Sequence, residues 1–473
     1  MKRFSLIFLI LLSINVFSQD SWTLERCINY ALENNIQIKN QELNIKINKN
    51  QLLQSKLSLI PGLNAGASES LTFGRSVDPF TNDFSSENFN STNFQISSSV
   101  TLFNGLQQYN TIKKAEIEHK SGLVMLEKAK NDITLAIASA YLNVLFAMDL
   151  IDVATNQLNI TEQQLEQTKK LVTAGSLPLQ NQYELEAQLA TEELNLVNYE
   201  NQLSLSILIL AQILELEDTE NFSIVRPEIE DITSESALLN VDQIFKEAQN
   251  HMPEIENAEL NLQIAQKSLS IARSGLMPRL SLSASYGTGY SSSRQIIENI
   301  TSGTPTLSGF TTDISGNILD VYLHTFDYTY KTRSFGDQIK DNASASLTFN
   351  LNIPIFNGLQ SKTQVNNSKI YLEQSKLQID QTNKDLLKEI RQAYSDAQSA
   401  MKQYFATEKT LKAIEISFEY TEKRYEQGLL NTTEYNVAKN NLAKTQTDLL
   451  KSKYDYIFKQ KILDFYRGKE IKF

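Results

Sequence analysis

The pentapeptide FNGLQ fills Phe103–Gln107 and returns at Phe356–Gln360, 356 − 103 = 253 positions later. Sliding the chain by that interval aligns much more without a gap. Ala140-Tyr141 meets Ala393-Tyr394, Leu158 meets Leu411, Gly175 meets Gly428, Leu189-Ala190 meets Leu442-Ala443 and Leu196 meets Leu449. The match carries about 102–217 onto 355–470. Upstream a second interval applies: ENAELNLQIA (256–265) matches KNQELNIKIN (39–48), and the same 256 − 39 = 217 shift puts Pro61 on Pro278. The intervals differ by 253 − 217 = 36 residues, so an insertion lies between Pro278 and the second FNGLQ. An internal duplication of this length obliges any fold to be built from two copies of one unit.

Between the proline and FNGLQ each copy reads as strands. Leu280, Leu282, Ala284 and Tyr286 alternate with small polar residues, and so do Leu347, Phe349, Leu351, Ile353 and Ile355, although Pro354 interrupts the run. In the first copy Ile96, Val100 and Leu102 alternate with serine and threonine, and Leu63–Phe73 does so more weakly. A period of two with one apolar face predicts half-exposed sheet, in hairpins over 63–103 and 280–356. Strands of about ten residues suit a tilted transmembrane strand. The tips, 74–93 and 291–342, read as polar loops rich in Ser, Asn and Thr, the second holding the insertion.

After each FNG a heptad begins. Leu386, Ile390, Ala393, Ala397, Ala400, Tyr404, Thr407, Leu411, Ile414, Phe418, Thr421 and Tyr425 fall at 4-3 spacing, and subtracting 253 gives Ile133, Ile137, Ala140, Val144 and onward to Val172. This predicts a coiled-coil rod. At 1.5 Å per residue a helix from Gly105 to Val172 spans roughly 100 Å. The rod turns at Gly175 and Gly428, and the returning helix carries Leu185, Leu189, Leu196, Tyr199 and Leu203. The apolar stretch Ile133–Ala154 reads as a packed face, because its repeat mate Leu386–Thr407 holds Lys388, Glu389, Arg391 and Lys402, which lipid would not tolerate. Asn104-Gly105 and Asn357-Gly358 suit the abrupt strand-to-helix junction, through φ > 0 and helix capping. Pro61 and Pro278 sit at the reverse junction, where a helix must stop.

Other classes are thinly supported. The formal net charge of −11 argues against a nucleic-acid partner, and a mean hydropathy of −0.30 against a polytopic helical membrane protein. His119, His251 and His324 share no ligand spacing, and a single cysteine, Cys27, allows neither an intrachain disulfide nor a cysteine metal cluster. No cofactor motif and no nucleophile–His–acid arrangement is found. Gly287-Thr288-Gly289 lies in a strand pattern and lacks a third glycine. Lys2-Arg3 before the apolar run Phe4–Val16, with Val16-Phe17-Ser18 at the cleavage point, predicts a signal peptide over 1–18 and an exported mature chain without a lipid anchor. Four strands cannot close a membrane barrel, which needs about eight, and lipid tolerates no open sheet edge. Several chains must therefore share one barrel, with the number left open by spacing. A secreted or surface coiled-coil scaffold or adhesin is the alternative that heptads alone allow.

Signal peptide, LERCINYALENN (24–35), ENAELN-type helix, Pro, hairpin, FNG, long helix and Gly turn, all but the first written twice, resemble the TolC-type outer-membrane efflux proteins over essentially the whole mature chain. The resemblance implies a homotrimer whose twelve-stranded outer-membrane barrel continues as a periplasmic α-helical tunnel. It implies a passive exit duct for a tripartite pump or type I secretion system, not an enzyme. The partners would be outer-membrane lipid, a periplasmic adaptor and an inner-membrane transporter. Repeats would occupy 19–230 and 231–473, with the loops near 84 and 315 outside the cell. The turns at Gly175, Leu177, Gly428 and Leu430 would meet the adaptor. Tyr425 and Glu434 match a tyrosine and an acid that constrict the family's tunnel entrance. Asn181 replaces an acid and Leu430 a basic residue there, which favours closure by packing over a dense ionic lock.

Overall fold

A computed structural model of the chain describes residues 22–77, 82, 84, 85, 88–217, 222–227 and 240–472. The expected signal peptide, the boundary at 230/231 and part of the first hairpin tip lie outside these residues. Contact clustering divides the chain into two compact units, one of 1–50, 116–265 and 371–473, the other of 51–115 and 266–370. Neither unit is a single repeat, since each draws on both copies.

The second unit holds the sheet. Its strands are β1 (Gly62–Thr72), the short β2 (Ser76–Val77) and β3 (Phe84–Ser85), β4 (Phe89–Phe103), β5 (Arg279–Ser291), β6 (Gln295–Ser302), β7 (Thr306–Thr312), β8 (Ile318–Leu323), β9 (Phe326–Thr332) and β10 (Ser344–Asn352). A four-stranded antiparallel sheet runs β1-β4-β5-β10. The duplication is legible in its register: Ala65 faces Ile96, and Leu282 (65 + 217) faces Phe349 (96 + 253). β10 stops at Asn352, short of Ile353 and Ile355, because Pro354 has no N–H for the ladder. β4 has no such proline and continues to Phe103.

Period-two alternation makes the sheet two-faced. On one face Phe349 stands beside Leu282 and Leu282 beside Val100, with Leu347 beside Ala284 and Leu351 beside Leu280. Around Leu282 and Phe349 nothing among the described residues covers this face: Leu63, Leu347, Phe349 and Leu351 are each more than half exposed. The other face carries Ser97, Ser99, Ser281, Ser283, Ser285, Ser346, Thr348 and Asn350. On it Arg279 donates to Thr101 Oγ1 at 3.3 Å, while the strands' other charge, Glu69, stands near the tip on the apolar side, its carboxylate accepting from Asn90 and Thr92. An uncovered apolar face opposite a polar face is the pattern of a membrane barrel wall.

The expectation of a plain polar tip over 291–342 needs correction. Residues 291–342 fold into two further strand pairs, β6–β9 and β7–β8, with exposed Ile, Phe and Tyr side chains, and a helix over Phe335–Asp341. Bulges between Ile297 and Asn299 and between Leu307 and Gly309 shift the alternation, which is why the sequence hid these strands.

The helices are α1 (Leu24–Asn34), α2 (Ile36–Leu57), α3 (Gln107–Thr173), α4 (Leu179–Ile213), α5 (Val241–Gln249), α6 (Pro253–Ser274), α7 (Phe335–Asp341), α8 (Gln360–Glu426) and α9 (Thr432–Tyr466). Both long helices, α3 and α8, have 67 residues, and every heptad position named above is buried or half-buried. α3 is apolar enough to cross a bilayer by composition. Its stretch instead supplies Ile137, Ala138, Tyr141, Val144 and Leu145 to a core with Cys27, Ala31, Ile38 and Leu210. A second core repeats the first: Ile244, Ala248 and Ile255 are Cys27, Ala31 and Ile38 plus 217, while Ile390 and Leu463 are Ile137 and Leu210 plus 253. Burial pushes the Cys27 thiol up to about 12, so it is an inert packing group.

The FNGLQ junctions use two consecutive left-handed residues, Gly105 (φ 62°) with Leu106 (φ 63°) and Gly358 (φ 61°) with Leu359 (φ 65°). The asparagines stay outside that region. Asn104 accepts from the Gln107 backbone N–H at 3.2 Å, and Asn357 from that of Gln360 at 3.2 Å. A Cβ on Gly105 would lie 2.6 Å from Met277 Cβ, whereas one on Gly358 meets nothing within 4 Å. In the isolated subunit, Gly105→Ala should therefore melt below Gly358→Ala, since both carry left-handed strain of about 1–2 kcal/mol but only the first also clashes. Equal melting temperatures by circular dichroism would count against this packing.

Candidate functional site

The helical unit brings the two helix–helix turns together. α3 ends in a Schellman turn, with the Ser176 N–H bonded to Leu171 O at 2.8 Å and Gly175 at φ 75°. α8 ends the same way, the Leu429 N–H bonded to Arg424 O at 2.9 Å and Gly428 at φ 73°. Leu177 and Leu430 are half-buried beside the turns, while Leu179 and Leu429 are exposed. Asn181 Nδ2 donates to Thr432 Oγ1 at 3.0 Å, so the start of α4 is tied to the start of α9.

Glu434 closes a capping box. Its backbone N–H bonds to Asn431 Oδ1 at 2.8 Å, and its carboxylate accepts from the Asn431 N–H at 3.3 Å. The carboxylate remains exposed. Tyr425 is half-buried and stacks on Tyr435, ring centroids 4.5 Å apart, with Phe418 5.5 Å from the same ring. Tyr435 is the residue that sequence reasoning missed. It is fully buried, its hydroxyl accepts a hydrogen bond from Gln164 Nε2, and burial pushes it up to about 12.

About two turns into α9 lies a second unanticipated group. The buried Lys439 ammonium donates to Gln157 O at 3.0 Å, to Glu192 Oε1 at 3.1 Å and to Thr161 Oγ1. It thereby joins α3, α4 and α9 through one charge. Burial drives the ammonium down, opposed by the Glu192 carboxylate. The signal was present: Glu192 follows Leu189 by three and precedes Leu196 by four, so it occupies a seam position, as Lys439 does between Tyr435 and Leu442. Opposite charges on facing seams forecast a buried pair.

Among the described residues no group of three or more His, Cys, Asp or Glu side chains could hold a metal ion. The junction residues Pro61, Asn104, Gly105, Pro278, Asn357 and Gly358 lie in the other unit, each between a sheet strand and the helix next to it in the chain.

An open four-strand sheet with an uncovered apolar face, joined to paired 67-residue helices, defines a membrane-barrel subunit with a helical extension. The chain belongs to the Outer membrane efflux protein family, whose model matches residues 27–214 and 244–468. It is 21% identical over 417 residues to Outer membrane protein TolC of Escherichia coli (strain K12), covering 86% of this chain and 74% of that protein. In fold it is similar to the outer membrane protein VceC of Vibrio cholerae, with a TM-score of 0.72, 17% identity and coverage of 95% and 97% of the two chains. It is also similar to the CmeC outer membrane channel of Campylobacter jejuni, with a TM-score of 0.72, 16% identity and coverage of 94% and 85%. The chain is an outer-membrane channel protein with a periplasmic helical part.

The Lys439 network yields a stability prediction. Glu192→Gln leaves a buried cation without its counter-charge and should cost about 3–5 kcal/mol, while Glu192→Leu with Lys439→Met should recover most of that loss. Thermal melting followed by circular dichroism distinguishes the two; a double variant no more stable than the single one would contradict a paired charge.

Proposed function

We propose that the chain is one subunit of a homotrimeric efflux duct whose three sheets close one outer-membrane barrel of 4 × 3 = 12 strands. The single observation that carries this reading is the sheet itself: an apolar face exposed at Leu63, Leu347, Phe349 and Leu351, and two unpaired edges, β1 and β10. Lipid cannot satisfy an edge, and further copies can. Resemblance to TolC-type proteins supports the number three. Transport would be passive, fed by an inner-membrane transporter through a periplasmic adaptor at the turns near Gly175 and Gly428. The two repeats would span 19–230 and 231–473.

The duplication supplies the register between copies. Inside the chain Ser98 of β4 faces Ala284 of β5. Adding 253 to the first and subtracting 217 from the second pairs Leu351 with Ala67 of the next subunit. Ala67→Cys with Leu351→Cys should therefore cross-link on oxidation into a species of three subunits on a non-reducing gel. Ala67→Cys with Leu347→Cys, displaced by four residues or roughly 13 Å, should not. β1 and β10 are separated within the chain by two strands, so an intrachain product cannot imitate the result. A monomer from the first pair would remove the shared barrel.

The tunnel entrance is proposed to close by packing, with Tyr425 held on Tyr435 and Asn181 bonded to Thr432. Tyr425→Ala should raise single-channel conductance in a planar bilayer. Glu434→Gln should reduce cation selectivity, because three exposed carboxylates around one axis favour cations. Unchanged currents in both variants would place the constriction elsewhere.

A further inference from the structure

The 36-residue insertion builds a structure that the duct does not require. Its base is fixed to one particular side of the sheet. Thr288 and Tyr290 stand on the apolar face, in step with Leu282 and Ala284. Helix α7 lies over them: the Phe335 ring is 5.2 Å from that of Tyr290, and Thr288 Oγ1 donates to Ile339 O. Gln338, fully buried, bonds Ser291 through N–H to Oε1 at 3.0 Å and through Nε2 to O at 2.9 Å, and its Nε2 also reaches Arg333 O at 2.9 Å. The Arg333 N–H closes the base on Arg294 O at 2.8 Å. The insertion thus leaves the sheet beside its apolar face.

Beyond this base the β6–β9 ribbon is one-sided. Ile297 pairs with Tyr330, Ile300 with Tyr328 and Ser302 with Phe326, all on one face. The opposite face carries Asn299 with Thr329 and Thr301 with Asp327, a Glu298–Lys331 ion pair at 3.1 Å, and one apolar residue, Ile296, beside Lys331. Among the described residues nothing covers the first face: Ile297, Ile300, Phe326, Tyr328 and Tyr330 are each 46–59% exposed. A two-stranded ribbon in water has no reason to segregate five large apolar side chains onto one side. Tyrosine and phenylalanine, with an apolar body and, in tyrosine, a polar tip, suit the boundary between lipid headgroups and chains. The occupant follows from the base, because a ribbon rooted beside the lipid-facing surface meets lipid first.

We propose that β6–β9 lies on the outer leaflet as a monotopic anchor, its Ile297–Tyr330 face sunk into the headgroup–acyl boundary and its Glu298–Lys331 face in water. The ligand is a lipid surface. This inference rests on the reading of the apolar sheet face as the barrel exterior.

The test uses the full-length trimer in phosphatidylcholine vesicles, with an environment-sensitive thiol probe at one of three positions. These are Tyr328→Cys on the apolar ribbon face, Thr329→Cys on the opposite face and Phe349→Cys on the sheet. Cys27 is buried and gives little background. Phosphatidylcholine bearing a shallow nitroxide should quench the Tyr328 probe several-fold more than the Thr329 probe, and should quench the Phe349 probe as well. Iodide in the water should show the reverse preference between 328 and 329. If Phe349 is quenched by lipid while 328 and 329 respond alike to iodide, the ribbon stands in water and the anchor is wrong. Pyrene at 328 giving excimer emission within the trimer would show a second copy on the face, and would equally overturn it. Absence of lipid quenching at Phe349 would overturn the barrel reading, and the anchor with it.

Discussion

A backbone N–H or C=O in hydrocarbon without a partner costs several kcal/mol, and this constraint organises the molecule. The sheet ends in two open edges, β1 and β10. One chain cannot bring those edges together, because four strands are about half of the smallest membrane barrel. In the proposed shared barrel, edge closure and self-association would be a single event, with folding in the membrane inseparable from assembly. The apolar band adds to the same pressure, since Leu63, Leu347, Phe349 and Leu351 stand exposed in the subunit and gain most where lipid covers them.

Duplication makes closure economical. The pairing of β1 with β4 is repeated residue for residue by β5 with β10, and two hydrophobic cores reuse the same positions. One seam inside the chain, β4 against β5, then serves as the template for the seam between chains. The junctions tell the same story. Gly105 packs on Ser274–Met277 within the subunit. The corresponding residues for Gly358 are Leu57–Ile60, by the 217-residue shift, and Leu57, Leu59 and Ile60 are each at least half exposed. Gly358, open in the isolated subunit, is the surface on which a neighbour's Leu57–Ile60 would fit.

Much of this was legible beforehand, for a physical reason. Strand alternation, heptads and turn glycines are local periodic signals, and writing them twice let each copy check the other. The parts that stayed hidden break local periodicity or depend on distant partners. Bulges beside Glu298 and Ser308 scrambled the alternation of β6 to β8. Leu106 and Leu359 at positive φ defy the residue preference that pointed to Asn-Gly. At the candidate entrance, Glu434 was matched only by resemblance to a constricting acid, and its carboxylate also caps α9. Tyr425 read as a constriction, yet its ring rests on Tyr435. The first is a local Asn-x-x-Glu signature, whereas the second requires knowing what α9 places opposite α8.

The copies have diverged at places where identity would be costly. Lys439 corresponds through the 253-residue shift to Glu186, which is partly exposed and pairs with Lys169 at 3.4 Å. One copy thus buries a cation in the seam while the other keeps its acid at the surface. A buried charge needs one partner on the facing helix, and Glu192 supplies it only for Lys439; its own counterpart is Thr445. Such a pair distinguishes otherwise similar helix hairpins, because a hairpin docked in the wrong quasi-equivalent slot would leave the lysine without its carboxylate. The insertion does the same for the sheet, as a ribbon present in one hairpin and absent from the other. In a closed trimer these differences reduce six similar units to three identical pairs, and thereby specify which hairpin follows which around the ring.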